Sequence, residues 1–454
     1  MVEGNTVKIS GCATCGQLVF FENSACLRCG TPLGFDPGTG HVVTLVAGTP
    51  SADGTGALFR ELPPVAVVAA ALGVADDAAG RNVMTEGGRV SEGGRVSGAN
   101  EVAATDPIAR DLADAVPPGR RRWYRRCGNA ELAGCNWLVQ APAPQGGDDL
   151  GPGELCVCCR LTRVRPADAD QVGRERFERA EAAKRRLVAQ LLDLALPVVP
   201  KSIDAAGGLA FDLLNSTGHK VVTGHSDGVI TLDLAESDDA HRELVRTQLG
   251  EPYRTLLGHF RHEVGHYYWG SLANADPARA DAFRNLFGDP NIDYSAALDR
   301  HYADGPPADW RESYVSAYAT MHPWEDWAET FAHYLHIRDT LRAAAEFGLR
   351  VDGPDLDAFG VPPREHAAEP GRPGGAGGHR TDSSQSAADI IAQWLPLTYA
   401  LNAINRSMGS DDLYPFVLTP AVQAKLAFVH DVIGGTPVTG TLPAAPDTRA
   451  AASG

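Results

Sequence analysis

The sequence HEVGH at positions 262–266 combines residue types and a spacing that could support metal-dependent hydrolysis. Apolar side chains recur at helical intervals across 254–269, so His262 and His266 are expected to share one face of a helix. Two such imidazoles can bind one zinc ion, and Glu263 points toward the space where an attacking water would sit. We therefore predict a catalytic zinc site with Glu263 as general base. The alternative is two core histidines beside a surface glutamate.

A catalytic zinc requires a third protein ligand. The region Ser316–His336 offers acidic residues and histidines, and it has helical periodicity after Pro323. Glu325 and Glu329 lie four residues apart and share a face, so that one can bind zinc while the other supports a histidine ligand. Asp326 points about 100° away from Glu325 around the helix, so these two cannot serve together. The histidines that remain alternatives are His301, His322 and His333.

Nine cysteines occur in the chain, and the first four form two Cys-x-x-Cys pairs separated by a segment short enough for a hairpin. A thiolate pair at this spacing can reach one tetrahedral zinc ion from a tight turn, and two pairs complete a closed structural site. Cytoplasmic proteins rarely keep disulfides, so we favour metal binding over four unligated cysteines. The predicted ligands of this zinc are Cys12, Cys15, Cys26 and Cys29.

The other five cysteines lie between positions 127 and 159, and four of them would complete a second structural site. Cys156 and Cys159 have the Cys-x-x-Cys spacing, so we group them with Cys127 and Cys135 and leave Cys158 unassigned. Buried cysteines without a ligand are the alternative. The sequence thus predicts three zinc ions per chain, of which one is catalytic and two are structural.

Three stretches of the sequence, together with the N-terminal cysteine pairs, resemble the bacterial zinc-binding metallopeptidase family that carries a zinc-ribbon domain. The stretches are RRCGNAELAGCNWL at 125–138, GHFRHEVGHYYW at 258–269 and HPWEDWAETFAHYLH at 322–336. The likeness spans most of the chain. It does not extend to the tandem EGGRVS repeat at 86–97 or to a Pro-, Gly- and Ser-rich loop at 360–386.

The order of HEVGH, a distant tyrosine and E-D-x-A-E is also similar to that of the gluzincin metallopeptidases and, among them, of lethal-factor-type enzymes. This resemblance implies that Glu325 is the third zinc ligand and that Glu329 supports a zinc-binding histidine. It further implies that Tyr318 stabilises the oxyanion formed during hydrolysis, and that the substrate is a protein or peptide.

The 454 residues exceed the length that one hydrophobic core usually organises, and composition divides the chain into five segments. These are cysteine pairs at 1–47, a flexible low-complexity insertion at 48–119, the second cysteine group at 120–166, a zincin-like metallopeptidase domain at 167–435 with the flexible loop at 360–386, and a disordered tail at 436–454. The predicted fold class is α+β, in which zinc-ribbon modules precede a mostly helical domain with a small β-sheet.

Local patterns indicate the elements of the metallopeptidase domain. Apolar residues at helical intervals predict a helix over 177–192, and helices also dominate the closing segment at 387–434. We expect strands at 208–214, 220–224 and 228–234, the last two in a hairpin. Zincins commonly place an exposed edge strand before the active-site helix, so 228–234 is a candidate for pairing with an extended substrate. An ordinary hairpin strand fits equally well.

Acidic residues outnumber basic ones by 57 to 40, giving a formal net charge of -17, which disfavours binding to nucleic acids or anionic membranes. The run RRRWYRR at 120–126 interleaves basic and aromatic residues as some nucleic-acid surfaces do, although such a run is more often a solvated face. The longest apolar run, Val65–Ala75, is too short to cross a bilayer, and the N-terminus lacks the features of a secretory signal. A cytoplasmic location is therefore expected.

These features support two hypotheses of different classes. The first is a zinc metallopeptidase that hydrolyses peptide bonds. The alternative is a zinc-ribbon protein that regulates or binds proteins or nucleic acids, with a metal site that does not turn over substrate. Glu263 favours the first, because metal binding alone has little use for that carboxylate.

Overall fold

The computed structural model describes residues 10–50, 57–62, 121–141, 153–216, 221–238, 241–243, 255–351 and 385–435. The chain forms two compact units, one within residues 5–159 and the other from residue 160 onward. All nine cysteines belong to the first unit, and HEVGH belongs to the second. Small sheets occur in both units and long helices in the second, so the fold class is α+β, as predicted.

The N-terminal unit is built from short antiparallel strands. They are β1 (Ser10–Gly11), β2 (Leu18–Val19), β3 (Leu33–Asp36), β4 (His41–Pro50), β5 (Ala57–Leu62), β6 (Trp123–Arg126) and β7 (Leu138–Ala141). β1 pairs with β2, and the other strands form one sheet in the order β3-β4-β5-β6-β7. A small core forms where Val43, Leu45, Tyr124 and Leu138 pack together.

The basic and aromatic run at 120–126 contributes β6 to this sheet. Tyr124 is fully buried, and its hydroxyl donates to Asp36 Oδ2 at 2.9 Å. Arg126 Nη1 donates to the backbone carbonyl of Leu33 at 3.2 Å. At least part of the run therefore stabilises the sheet, because one ring is buried and one guanidinium is bound to backbone.

β5 lies inside the segment 48–119, which the sequence led us to expect as a flexible insertion. β5 pairs with β4 on one side and with β6 on the other, and Leu58 and Leu62 are buried. The prediction of a flexible insertion is therefore wrong for residues 57–62, which form a strand of the sheet and bury two leucines. The EGGRVS repeat, most of the loop at 360–386 and the tail at 436–454 lie outside the described residues.

The second unit contains a four-stranded sheet. Its strands are β8 (Thr162–Val164), β9 (Ala210–Leu214), β10 (Gly224–Ser226) and β11 (Val229–Asp233), in the order β10-β11-β9-β8. β9 pairs in parallel with β8 and β11, whereas β10 and β11 form an antiparallel hairpin. The turn of this hairpin is Asp227-Gly228, with φ values of 46° and 72°. Two left-handed residues are what a two-residue hairpin turn requires.

Two of the strand predictions are corrected by this sheet. The hairpin partner of β11 is Gly224–Ser226 rather than 220–224, and 221–223 is not a strand. The two-residue Asp-Gly turn places the partner strand directly before β11, later in the chain than predicted. β11 is also not an edge strand, since it lies between β9 and β10 and is paired on both sides along Val229–Thr231. Its backbone there is not available to an extended substrate.

Helices form the greater part of the second unit. They are α1 (Gln171–Asp193), α2 (Leu256–Leu272), α3 (Pro277–Phe287), α4 (Tyr294–Asp304), α5 (Pro323–Glu346), α6 (Ala387–Ser407) and α7 (Pro420–Gly434). α1 contains the helix predicted at 177–192, and α6 and α7 occupy the closing segment. Among the helices that the structure describes, none is long and apolar enough to cross a membrane.

The packing of α2 against α5 brings the two halves of the predicted site together. Gly265 permits this close approach, since a Cβ at that position would lie only 3.1 Å from the Cα of Ala328. Trp327 is fully buried, and its Nε1 donates to the backbone carbonyl of Gly265 at 2.8 Å. The helix that carries HEVGH therefore contacts the helix that carries the acidic candidates, and a glycine within the motif makes the contact possible.

Candidate metal centres

The first cysteine group brings its four sulfurs close together in the N-terminal unit. Cys12 Sγ lies 3.7 Å from Cys29 Sγ, and Cys15 Sγ lies 3.6 Å from Cys26 Sγ. A disulfide would place two sulfurs about 2.05 Å apart. Four thiolates around a tetrahedral zinc, each at about 2.3 Å, would stand about 3.8 Å from one another. The sulfur separations therefore fit a shared zinc ion and exclude disulfides in this structure.

The second cysteine group has the same geometry and is more deeply buried. Its members are Cys127, Cys135, Cys156 and Cys159. Cys135 Sγ lies 3.7 Å from Cys156 Sγ, which again matches two ligands of one tetrahedral zinc. Cys127 Sγ accepts hydrogen bonds from the backbone N–H groups of Asn129 and Cys156, at 3.5 and 3.3 Å, and these donors stabilise a thiolate. Cys158 is buried but lies outside this four-sulfur group.

The third group of possible ligands lies between α2 and α5. His262 Nε2 and His266 Nε2 are 3.2 Å apart, and Glu325 Oε2 lies 3.0 Å from the first and 3.4 Å from the second. Nitrogen and oxygen ligands of a tetrahedral zinc stand roughly 3.3 to 3.6 Å apart, so these three atoms fit one zinc ion. Three protein ligands leave a fourth position for water or substrate, which is the arrangement of catalytic zinc sites.

Opposite charges are matched at this centre. Glu325 is 1% exposed, and burial acts to raise its pKa, but His266 and His262 outweigh burial and hold that pKa well below its usual range. Burial acts to lower the pKa of His262, whereas hydrogen bonds with Glu325 and Glu329 raise that pKa well above the ordinary value. Glu325 and His262 thus stabilise each other in their charged forms.

Glu329 lies behind His262, on its other ring nitrogen. Glu329 Oε1 is 2.7 Å from His262 Nδ1, and Glu329 Oε2 accepts a hydrogen bond from Ser316 Oγ at 2.6 Å. Burial acts to raise the pKa of Glu329, but the contact with His262 prevails and lowers that pKa to about 2. A carboxylate on the far nitrogen of a metal-binding histidine fixes the tautomer and orientation of the ring.

Glu263 and Tyr318 border the three possible ligands. Glu263 is 8% exposed, and burial raises its pKa in spite of the imidazoles of His262 and His266. The Tyr318 ring lies 6.0 Å from the His262 ring, and burial together with the charge of Glu325 raises the pKa of the Tyr318 hydroxyl well above its usual value. Tyr318 is thus a neutral hydrogen-bond donor, and Glu263 has an increased affinity for protons.

The other candidates for the third ligand have different partners. These candidates are Asp326, His301, His322 and His333. The Asp326 carboxylate accepts a hydrogen bond from Lys425 Nζ at 2.6 Å, and the His333 Nδ1 atom lies 2.8 Å from the Tyr414 hydroxyl. His322 is the N-cap of α5, and His301 packs its ring against that of Tyr318. Within the described residues, the group that converges with His262 and His266 contains Glu325 and none of these four.

Three residues beside the site were not identified from the sequence, namely Tyr294, Ser316 and Lys425. The Tyr294 hydroxyl donates to Glu325 Oε1 at 3.0 Å, Ser316 binds Glu329, and Lys425 binds the neighbour of Glu325 on α5. Tyr294 and Lys425 belong to helices that carry no recognisable motif. Of the three, only Ser316 could have been noticed from the sequence, because it lies two residues before Tyr318 in the segment Ser316–His336.

Comparison with known proteins assigns the chain to a family. Residues 173–432 match the family described as "putative zinc-binding metallo-peptidase", and residues 10–61 and 94–170 match a family described as a zinc-ribbon domain. The chain belongs to this zinc-binding metallopeptidase family and has an N-terminal zinc ribbon. Uncharacterized proteins of Mycobacterium tuberculosis and Mycobacterium bovis are each 43% identical to it over 422 residues, which cover 93% of this chain and 94% of the relative. No solved structure matches the chain significantly.

Proposed function

We propose that this protein is a zinc-dependent peptidase of the gluzincin type, with His262, His266 and Glu325 as ligands of the catalytic zinc. The observation that carries the proposal is the convergence of two imidazole nitrogens and one carboxylate oxygen at 3.0 to 3.4 Å, bordered by Glu263 and Tyr318. The family assignment supports it, and a centre with three protein ligands leaves room for water and substrate.

A zinc ion held by these residues would lower the pKa of a coordinated water and polarise the carbonyl group of a peptide bond. Glu263 takes the proton of the attacking water and delivers it to the leaving amine. Burial raises the pKa of Glu263 above its usual value, in the direction of neutral pH. A general base works best when its pKa lies near the pH at which the enzyme operates. Tyr318 donates a hydrogen bond to the carbonyl oxygen as that atom acquires negative charge.

Glu329 and Ser316 orient the site without touching the reacting atoms. Glu329 holds His262 Nδ1, so that Nε2 of the same ring faces the other two ligands. Ser316 binds the second oxygen of Glu329 and also accepts a hydrogen bond from the backbone N–H of Ala319, which fixes the hydroxyl. This chain of contacts supports the role that the sequence resemblance implies for Glu329.

We further propose one structural zinc in each cysteine group, which makes three zinc ions per chain. The sulfur separations of 3.6 to 3.7 Å support this stoichiometry. The proposed substrate is a protein or peptide, and the zinc-ribbon unit would stabilise the N-terminal region or recruit that substrate. Cytoplasmic location remains part of the proposal, since a reducing compartment keeps cysteines available as metal ligands.

The variant Glu263→Gln tests the proposal, because it keeps the size of the side chain and removes the carboxylate that accepts a proton. Peptide termini are compared across the proteome of cells that express wild-type or variant protein, and cleavage sites produced only by the wild type identify substrates. Turnover of such a substrate is expected to fall about 10²- to 10⁴-fold in the variant. Equal cleavage by both proteins would refute the role of Glu263.

Two controls accompany this experiment. The zinc content of Glu263→Gln must equal that of the wild type, because Glu263 is not a proposed ligand. Tyr318→Phe removes one hydrogen-bond donor and retains Glu263, so it should slow turnover by about 10²-fold with zinc content unchanged. Unchanged turnover in Tyr318→Phe would remove Tyr318 from the mechanism and leave the assignment of Glu263 intact.

A further inference from the structure

The two oxygens of Glu325 face different partners. Oε2 lies 3.0 Å from His262 Nε2 and 3.4 Å from His266 Nε2, on the side of the possible metal site. Oε1 accepts a hydrogen bond from the Tyr294 hydroxyl at 3.0 Å. A carboxylate can bind a metal through one oxygen or through both. Here one of the two oxygens already has a donor of its own.

Tyr294 is held in place by His322, the residue that caps the N-terminus of α5. Tyr294 is the first residue of α4, and its ring packs against the His322 ring with 5.2 Å between centroids. His322 Nδ1 accepts from the backbone N–H of Trp324, and His322 Nε2 donates to the backbone carbonyl of Ile292, both at 3.1 Å. His322 thus ties the start of α5 to the residues before α4, which sets the position of Tyr294 relative to Glu325.

We propose that Tyr294 is a positioning residue that restricts Glu325 to coordination through a single oxygen. The inference rests on the proposed zinc site. It adds a hydrogen bond, from Tyr294 to Glu325, that keeps the fourth coordination position of the zinc open. Without the Tyr294 hydroxyl, Oε1 is free to turn toward the metal, and a second carboxylate oxygen would then compete with water or substrate. Because Glu325 is buried, Tyr294 also supplies a donor that Oε1 cannot obtain from solvent.

The variant Tyr294→Phe removes only the hydroxyl and keeps the ring that packs against His322. The catalytic ion is first removed with a chelator under conditions in which the cysteine groups keep their zinc, and Co²⁺ is then added to the full-length chain. X-ray absorption at the cobalt edge counts the nitrogen and oxygen ligands of this site alone. We expect four ligands in the wild type and five in Tyr294→Phe, with a weaker visible absorption of cobalt in the variant.

A second readout is the affinity of the site for zinc, measured by competition with a chromophoric chelator. We expect Tyr294→Phe to weaken zinc binding about 10- to 100-fold, as for other groups that orient a metal ligand. Tyr334→Phe is the matched control. Tyr334 lies on α5, the helix that carries Glu325, and its hydroxyl contacts His430 Nδ1 at 2.9 Å and no proposed ligand. Zinc affinity and cobalt coordination should be unchanged in this control.

Failure of this inference is distinguishable from failure of the proposed site. If His262→Ala retains as much zinc as the wild type, the site itself is wrong. If His262→Ala loses one zinc but Tyr294→Phe keeps wild-type affinity and ligand number, the role of Tyr294 is wrong and the site stands. Equal changes in Tyr294→Phe and Tyr334→Phe would also overturn the inference, because they would indicate a general effect on the stability of α5.

Discussion

The cysteine centres and the histidine centre differ in the number of ligands that they present and in the groups that border them. Each cysteine group contains four sulfurs, which is enough to saturate a tetrahedral zinc. The centre between α2 and α5 offers three atoms, and Glu263 and Tyr318 border it. Backbone N–H groups, which do not exchange protons during a reaction, border Cys127. These differences in ligand number and bordering groups support the proposal that the cysteine centres are structural and the histidine centre is catalytic.

The centres also differ in what holds their ligands together. β1 and β2, beside the first cysteine pair, are two residues long each, and the described part of the sheet has two separate clusters of four and two buried side chains. α2 and α5 are long helices packed through buried aromatic residues such as Phe260, Trp327 and Phe331. We therefore expect the N-terminal unit to need its metal in order to fold, whereas the histidine centre should be formed before metal binds.

The largest expected effect is that of Cys127→Ser on the N-terminal unit. A structural zinc contributes about 10 to 16 kcal/mol of binding free energy to small zinc domains, so loss of one sulfur should release the ion and unfold this unit. Zinc content and limited proteolysis measure the two consequences. Cys158→Ser is the matched control, because Cys158 is equally buried but outside the four-sulfur group. Retention of all zinc by Cys127→Ser would contradict the second cysteine site.

A smaller effect is expected when the ion pair behind Glu325 is broken. Lys425 on α7 donates from Nζ to Asp326 Oδ2 at 2.6 Å and to the Ser313 carbonyl at 2.7 Å, and both side chains are buried. Lys425→Met leaves the Asp326 carboxylate buried without its cation, which should destabilise the second unit by about 3 to 5 kcal/mol. Chemical denaturation of the zinc-loaded chain, followed by tryptophan fluorescence, measures this change.

A double variant sharpens that prediction. The double variant Lys425→Met/Asp326→Leu removes both charges. It should recover most of the lost stability, because packed apolar groups can replace a buried ion pair. Zinc bound by the cysteine groups should be the same in both variants. If Lys425→Met instead released zinc from the cysteine groups, the two kinds of centre would not be independent.

Smaller effects again are expected from Glu329→Gln and from its neighbour Ser316. This variant keeps the three proposed ligands and weakens the group that orients His262, so zinc affinity at the histidine centre should fall about 10- to 100-fold. Glu325→Gln removes a ligand and should cause the greater loss, while Ser316→Ala, one contact further away, should cause a smaller loss than Glu329→Gln. Chelator competition measures all three. A larger loss for Glu329→Gln than for Glu325→Gln would reverse the assignment of the third ligand.

The sequence is informative where a few residues close in the chain define the geometry. Cysteines three apart share a turn, and histidines four apart share a helix face, so these groups could be predicted from spacing alone. The choice between Glu325 and Glu329 could not, because both lie on the same face of α5. It depends on the approach of α2 at Gly265, which places Glu325 against His262 Nε2 and Glu329 against Nδ1.

Long-range pairing explains the parts of the fold that sequence patterns missed. β5 was hidden in a low-complexity segment because its order comes from its neighbours β4 and β6 rather than from a local pattern. The position of β11 inside the sheet depends on parallel pairing with β9, about twenty residues earlier. Tyr294 was missed for the same reason, since its contact with Glu325 joins α4 to α5 across 31 residues.

On the proposed function, the chain combines an open zinc centre on α2 and α5 with two closed cysteine centres in its N-terminal unit. Elemental analysis of the purified full-length chain and of its His266→Ala variant tests this claim most directly. We predict about three zinc ions in the wild type and about two in the variant, with the same circular dichroism spectrum. A wild-type value near one would contradict the pair of cysteine centres. An equal value in both proteins would contradict a zinc centre at HEVGH.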